Sequence, residues 1–275
     1  MVMSRNEVEV NGRETWRTSI ASAEGDSICV RGYDLLDLMS NVDFVSAAYL
    51  VFQGNLPSEA HRKMFNAMLI SAVDHGISPS ATVARFIAGA GSPIQASVAG
   101  ALLTYGDIHA GAGEEMCRLL EDAVGAIELG ADARSQAREL VARARATKTP
   151  LPGFGHPQHP DGDPRVPVLI GIARDLDLVG PHLEFALLLE DALEAELGRR
   201  IAMNIDGILS GIQCDMGFTW RHSRPLAMMS RIVGLSAHAI EESLREKGWR
   251  QLAPEDIRYD GPTGRVVGVG EEVDR

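Results

Sequence analysis

Residues 147–167 read TKTPLPGFGHPQHPDGDPRVP. Six prolines (150, 152, 157, 160, 164 and 167) and three glycines fall in this short stretch. Proline fixes φ and removes a backbone donor, so no regular element runs far through it. A loop of this length inside a compact chain is as a rule either functional or disordered. Its apolar flanks and fixed-φ prolines predict an ordered, functional one. It carries His156, His159, Asp161, Asp163 and Arg165. On either side the apolar period becomes helical, over 131–146 before the loop and Val168–Leu176 after it. The loop is therefore an insertion between helices, and the chain reads as mostly α-helical.

Working outward, the same reading holds. Toward the N-terminus it predicts helices over 114–129 and over a small-residue segment, 94–105, that ends at Tyr105-Gly106-Asp107. Thr82–Ala90 follows Ser78-Pro-Ser. Pro57-Ser58-Glu59 opens a helix whose apolar set, Met64, Phe65, Met68, Leu69 and Ala72, ends at His75-Gly76. Phe44–Phe52 and a short piece around Leu35–Met39 come before it. Only residues 1–32 suggest strands, Thr18–Ala21 and Ser27–Val30 about an Ala-Glu-Gly-Asp turn. Toward the C-terminus, His182–Gly198, Ile208–Met216 and Pro225–Glu242 read as helices. Gly248–Arg275 is polar and is predicted to be partly disordered.

Composition narrows the function classes. With 275 residues, 45% apolar and 23% charged, the chain can bury a large core. Aromatics make up only 5%, which favours closely packed helices over a β-sandwich. A net charge of −12 excludes a general nucleic-acid surface, so an anion site needs a local cluster of arginines. Cys29, Cys117 and Cys214 are odd in number and form no CxxC, which predicts free thiols in a reducing compartment. The first residues hold no apolar signal region, and no stretch reaches a membrane span. The expectation is a cytoplasmic protein with neither nucleic acid nor membrane as partner.

Three histidines sit against glycine or proline turns: His75 in Asp74-His75-Gly76, His109 in His109-Ala-Gly-Ala-Gly113, and His156 in Gly153-Phe-Gly-His156-Pro157. Histidine holds or gives a proton near neutral pH. Asp206, in Asn204-Ile-Asp206-Gly207, is a carboxylate in an apolar setting, where burial favours acid/base work. Arg231 lies inside an apolar helix and needs a partner. With Arg165 it offers bidentate carboxylate binding. Singly, each residue also has a plain reading: a helix-capping His75, a His109 in a packed turn, an Asp-Gly turn at Asp206. No P-loop, no GxGxxG after a strand and no GxSxG is present. His156, His159, Asp161 and Asp163 suggest a metal site, but the prolines prevent a helical pair and no thiol pair supports it, so no metal is expected.

Taken in order, these segments resemble the citrate synthase superfamily. Val30-Arg31-Gly32-Tyr33, Asp74-His75, the helices from Arg85 to Gly106, Ile108–Ala112, Pro152–His156, Asp163-Pro-Arg165 and Asn204-Ile-Asp206 are similar to its consecutive signatures, across about 18–245. Each motif alone is weak; the ordered set is specific. The resemblance implies a two-domain helical fold, with 1–111 and 218–275 as the large domain and 112–217 as a small closing domain, in a homodimer or higher homo-oligomer. It implies a catalytic base at Asp206, enolate stabilisation by His109, and proton transfer at the oxo-acid oxygen by His156. It implies substrate-carboxylate binding by His75, Arg165 and Arg231, and coenzyme A contacts by Arg200, Gly153 and Gly155. No permanently bound cofactor is implied; a coenzyme A thioester is the substrate.

The chain is shorter than a usual synthase, Gly113 stands where the family's HGGAN has Asn, and the Pro254-Glu-Asp-Ile-Arg-Tyr tail is more like the citryl-CoA lyase branch, including the lyase module of ATP-citrate lyase. The expected reaction is cleavage of citryl-CoA to acetyl-CoA and oxaloacetate. The alternatives are a short citrate or 2-methylcitrate synthase, and a non-catalytic protein that binds coenzyme A or citrate.

Overall fold

Eleven helices make up most of residues 16–265, the part of the chain that the computed structural model describes. A three-stranded antiparallel sheet precedes them: β1 (Ala21–Glu24), β2 (Ser27–Val30) and β3 (Tyr33–Asp34), in that order. Glu24 pairs with Ser27, so the hairpin turn is only Gly25-Asp26. That tight turn moves β1 three residues later than the sequence predicts. Arg31 ties the sheet to the helices by donating from Nε and Nη2 to the Val51 carbonyl (3.0 and 2.7 Å).

The helices are α1 (Leu35–Asn41), α2 (Phe44–Gln53), α3 (Glu59–Ala72), α4 (Pro79–Gly89), α5 (Ile94–Leu102), α6 (Ala112–Glu128), α7 (Ala133–Thr147), α8 (Arg165–Asp175), α9 (Pro181–Leu197), α10 (Ile205–Asp215) and α11 (Trp220–Arg245). Asp34, Asp43, Ser58, Ser78, Asp132 and Asn204 cap their helices by accepting N–H groups that would otherwise lack a partner. Several boundaries differ from expectation by a few residues, four of them with a plain cause. α5 stops at Leu102, which frees Leu103–Gly111 to form the His109 loop. α8 starts at Arg165, because Pro167 fits a helix's first turn, so the proline-rich segment is shorter than predicted. α10 starts at Ile205, because the Asn204 side chain caps it. α11 runs through Pro225, near its N-terminal end, where few helical bonds are lost. Beyond α11, Pro254–Asp256 forms a single 3₁₀ turn. Of the segment predicted to be partly disordered, 266–275 lies outside the described residues.

The main core joins α2 and α3 to α6–α10. Phe65, Met116, Leu120, Leu183, Leu189, Ile208 and Ile212 are fully enclosed there. A second, smaller core packs α4, α5 and α11 through Ala81, Ala84, Ala88, Ala101, Leu235 and Ala239. Small side chains let these three backbones approach closely, as the Ala-rich segment predicts. Glu242 is fully buried between them, and Arg85 (2.7 Å) and Arg250 (2.7 Å) neutralise it. Cys29, Cys117 and Cys214 are free thiols. Among the described residues no helix is long and apolar enough to cross a membrane.

Candidate active site

The proline loop meets α10 at two glycines. A Cβ on Gly153 would lie 2.7 Å from the Gly207 Cα, and a Cβ on Gly207 would lie 2.4 Å from the Gly153 oxygen. Only a pair of glycines allows this approach. Asn204 fastens the seam: its N–H donates to Gly153 O (2.9 Å) and its Nδ2 to Gly155 O (2.6 Å). Its Oδ1 accepts from the backbone N–H groups of Asp206 (2.9 Å) and Gly207 (3.2 Å). Asp206 therefore stands in the first turn of α10, beside the loop that carries His156. Its carboxyl borders a cavity of about 40 Å³ whose other walls include Phe65, Met68, Ala110, Gly113 and Leu226. Burial drives its pKa up; Arg165 and Arg231 pull it down, and Asp163 adds to the rise.

His75 follows α3 on a turn in which Asp74 accepts the Gly76 N–H (2.9 Å). Asp74 also holds His238 (3.2 Å), and a side chain at Gly234 of α11 would strike Asp74 and the Val73 carbonyl, both at 2.6 Å. This turn is thus pressed onto α11. The His75 ring lies 5.5 Å from that of His156 and 5.3 Å from that of His159, and its Nε2 is 3.1 Å from Nε2 of His159. Burial, then Arg165 and the neighbouring imidazoles, lowers the His75 pKa. Burial and His159 lower that of His156, against an opposing pull from Asp163. Burial thus favours the uncharged form of both rings. His156 Nδ1 accepts the Gln158 N–H (3.1 Å), so its own proton sits on Nε2.

His109 lies on the loop between α5 and α6, which Arg224 braces by pairing with Asp107 (2.6 Å) and Glu114 (2.9 Å). His109 Nε2 is 3.1 Å from the Ser80 hydroxyl, and its ring packs edge-on against Tyr105. With Ser80 as donor, the ring's proton lies on Nδ1. Burial, then Arg231, lowers the His109 pKa. Arg231 donates from Nε to the Ala72 carbonyl (2.8 Å), which anchors it beside the end of α3. Arg165 makes a two-pronged pair with the buried Asp163 (2.9 and 2.7 Å) and donates to Ser71 O (3.2 Å). That pair keeps Asp163 ionised despite its burial.

Electrostatic reach unites the six predicted residues. Arg231 acts on His75, His109 and Asp206, and Arg165 acts on His75, His156 and Asp206. The predicted coenzyme A residues fare differently. Gly153 and Gly155 form the seam, whereas Arg200 is exposed and bonded to Glu190 (3.0 Å). Sequence reasoning missed Ser80 and Tyr105, and it connected His159 only to metal binding. Among the described residues, ring nitrogens of His75, His156 and His159 form the only group close enough to hold a metal ion, all within 4.8 Å of one another. The His75–His159 bond, the Nε2 proton on His156 and the nearby Arg165 cation disfavour an ion there. Asp163, expected as a possible fellow ligand, is committed to Arg165.

Residues 57–252 match the family described as citrate synthase, C-terminal domain. The chain belongs to the citrate synthase family. It is 31% identical over 219 residues to a 2-methylcitrate synthase of Mycobacterium tuberculosis, covering 78% of this chain and 52% of that one. It is 27% identical over 252 residues to a citrate synthase of Synechocystis, covering 88% of this chain and 62% of that one. The chain thus spans about half to three-fifths of these curated relatives. The solved structure of citryl-CoA lyase from Hydrogenobacter thermophilus superposes with a TM-score of 0.85 at 36% identity, covering 92% of this chain and 97% of that one.

Proposed function

We propose that this protein cleaves citryl-CoA to acetyl-CoA and oxaloacetate. The observation that carries the chemistry is the half-buried Asp206 carboxyl, its pKa raised by burial, set in one electrostatic network with two imidazoles whose pKa values burial lowers and with two arginines. Cleavage needs four things: a base at the citryl hydroxyl, binding of the oxo-acid carboxylates, stabilisation of the acetyl-CoA enolate, and a proton for its carbon. His156 takes the hydroxyl proton as the C–C bond breaks. His75, Arg165 and Arg231 hold the departing oxaloacetate. His109 donates to the thioester oxygen as charge develops there. A carboxyl with a raised pKa still holds a proton nearer neutrality, which suits Asp206 to protonate the acetyl carbon. The likeness to the lyase, higher in identity than that to the two synthases above, supports this direction.

One observation favours condensation instead. The Gln158 bond leaves His156 with its proton on Nε2, ready to protonate a carbonyl rather than to accept from a hydroxyl. By microscopic reversibility the same ring serves both directions, so cleavage requires that bond to give way first. Citryl-CoA incubated with purified protein discriminates the two: the proposal predicts acetyl-CoA and oxaloacetate, whereas net citrate with free coenzyme A thiol supports the synthase reading.

Three further features complete the proposal. His75, His109 and Arg231 lie outside 112–217, whereas His156, Arg165 and Asp206 lie within it. Relative closure of these two parts would assemble the site around substrate. Arg145 and Lys148 edge an apolar cavity of about 250 Å³ beside the proline loop, with Leu151, Phe154 and Ile201 among its walls. This apolar cavity suits the adenosine end of coenzyme A; of the two cations at its edge, Arg145 pairs with Glu196 as Arg200 pairs with Glu190. Leu103 at the end of α5 and Val233, Ile240 and Leu244 on α11, which packs against α5, are exposed, and this supports assembly as a homodimer.

A further inference from the structure

We infer that His159 is a positioning residue of this site, its Nε2 holding the His75 ring in place for a carboxylate of the oxo-acid or tricarboxylate substrate. The inference rests on the functional reading above. His159 is the stiffer member of the pair. Its N–H bonds His156 O (3.2 Å), its carbonyl accepts the Gly162 N–H (3.1 Å), and Pro157 and Pro160 restrict the backbone on both sides. His75, by contrast, stands on a short turn after α3, and the bond to His159 crosses 84 residues of sequence to reach its ring. Two facing ring nitrogens at 3.1 Å share one hydrogen, so removing either ring frees the other to rotate.

The surroundings point to an anion as the ligand. Three half-buried imidazoles gather beside Arg165, with Arg231 in electrostatic reach of His75. Asp163, a carboxylate in electrostatic reach of His156, is already taken up by Arg165. In a chain of net charge −12, this local surplus of donors and cations complements a polycarboxylate.

The test compares His159→Phe with His159→Gln. Phe keeps a ring but removes the bond; Gln places an amide where Nε2 stood. Calorimetry with oxaloacetate and with citrate, on variants whose melting curves show an intact fold, reads the effect. His159→Phe should weaken binding of both acids about tenfold or more and coenzyme A binding less than twofold. His159→Gln should recover most of the loss. Unchanged acid binding in His159→Phe, or equal weakening in both variants, would overturn the inference. So would turnover that needs Zn²⁺ and is lost on treatment with EDTA. Wild-type protein that binds neither acid would instead reject the functional reading itself.

Discussion

Substituting Gly207 by alanine tests whether the glycine seam sets the geometry of the site. Gly207 sits in the first turn of α10, where alanine is ordinarily the better helix former by about 1 kcal/mol. Here the added Cβ would lie 2.4 Å from Gly153 O and 2.7 Å from Met203 Cγ. Met203 can move aside, but the Gly153 carbonyl is backbone and bonded to the Asn204 N–H. To restore ordinary contact the two strands of the seam must part by about 1 Å. Overpacking of this kind costs about 1–3 kcal/mol. Loss of the Asn204 hydrogen bond adds about 1 kcal/mol, which the helix propensity roughly offsets. The net loss of about 1–3 kcal/mol lowers Tm by about 3–10 °C in a chain of this size.

The greater effect falls on turnover. A 1 Å misplacement of reacting groups costs roughly a hundredfold, and this seam sets Asp206 against the His156 loop. Gly125→Ala is the control, because Gly125 lies inside α6 with no atom within 4 Å of the added Cβ. It should match or slightly exceed wild-type stability at unchanged turnover. Scanning calorimetry and a citryl-CoA cleavage assay read both. If Gly207→Ala behaves like Gly125→Ala, the seam does not set the site.

Asp206→Asn should lower turnover by about 10²–10⁴-fold while citrate binding, measured by calorimetry, stays within a few-fold of wild type. Asp163→Asn leaves the Arg165 guanidinium without its buried partner and should cost about 3–5 kcal/mol, seen as a Tm lower by some 10 °C. Because Arg165 holds the Asp163 pKa below its unfolded value of about 3.9, this contribution is present above that pH and is lost as pH falls through the folded value. The stability gap between wild type and Asp163→Asn should therefore close in acid; a gap that stays constant down to pH 2 would refute the assignment. Ser80→Ala releases His109 Nε2 and should reduce kcat about tenfold with KM little changed.

Much of the helical frame was legible in the sequence. Met64, Phe65, Met68 and Leu69 repeat at helical spacing, and Ser58 caps a helix where the sequence places its start, while Ser78 caps one that begins three residues earlier than Thr82. The ordered motifs also named Arg165, Arg231 and the four residues that the structure brings within electrostatic reach of one or both. Their mutual pairings were not legible. His75 meets His159 across 84 residues, Arg165 reaches Ser71 across 94, and Ser80 reaches His109 across 29. No local pattern encodes contacts at such separations. Asn204 could have been read as an N-cap, which would have placed Asp206 in a helix rather than in an Asp-Gly turn. The close approach of Gly153 and Gly207 likewise depends on packing between α10 and a loop some 50 residues earlier. Arg200 resembled a phosphate-binding residue by position, but Glu190 occupies its guanidinium.

The measurement that bears most directly on the account is the fate of citryl-CoA mixed with the purified protein, followed by chromatography and mass spectrometry of the acyl-CoA pool. The account predicts catalytic conversion to acetyl-CoA and oxaloacetate, lost in Asp206→Asn. Intact citryl-CoA in the presence of folded protein would contradict it, as would hydrolysis to citrate and free coenzyme A without acetyl-CoA.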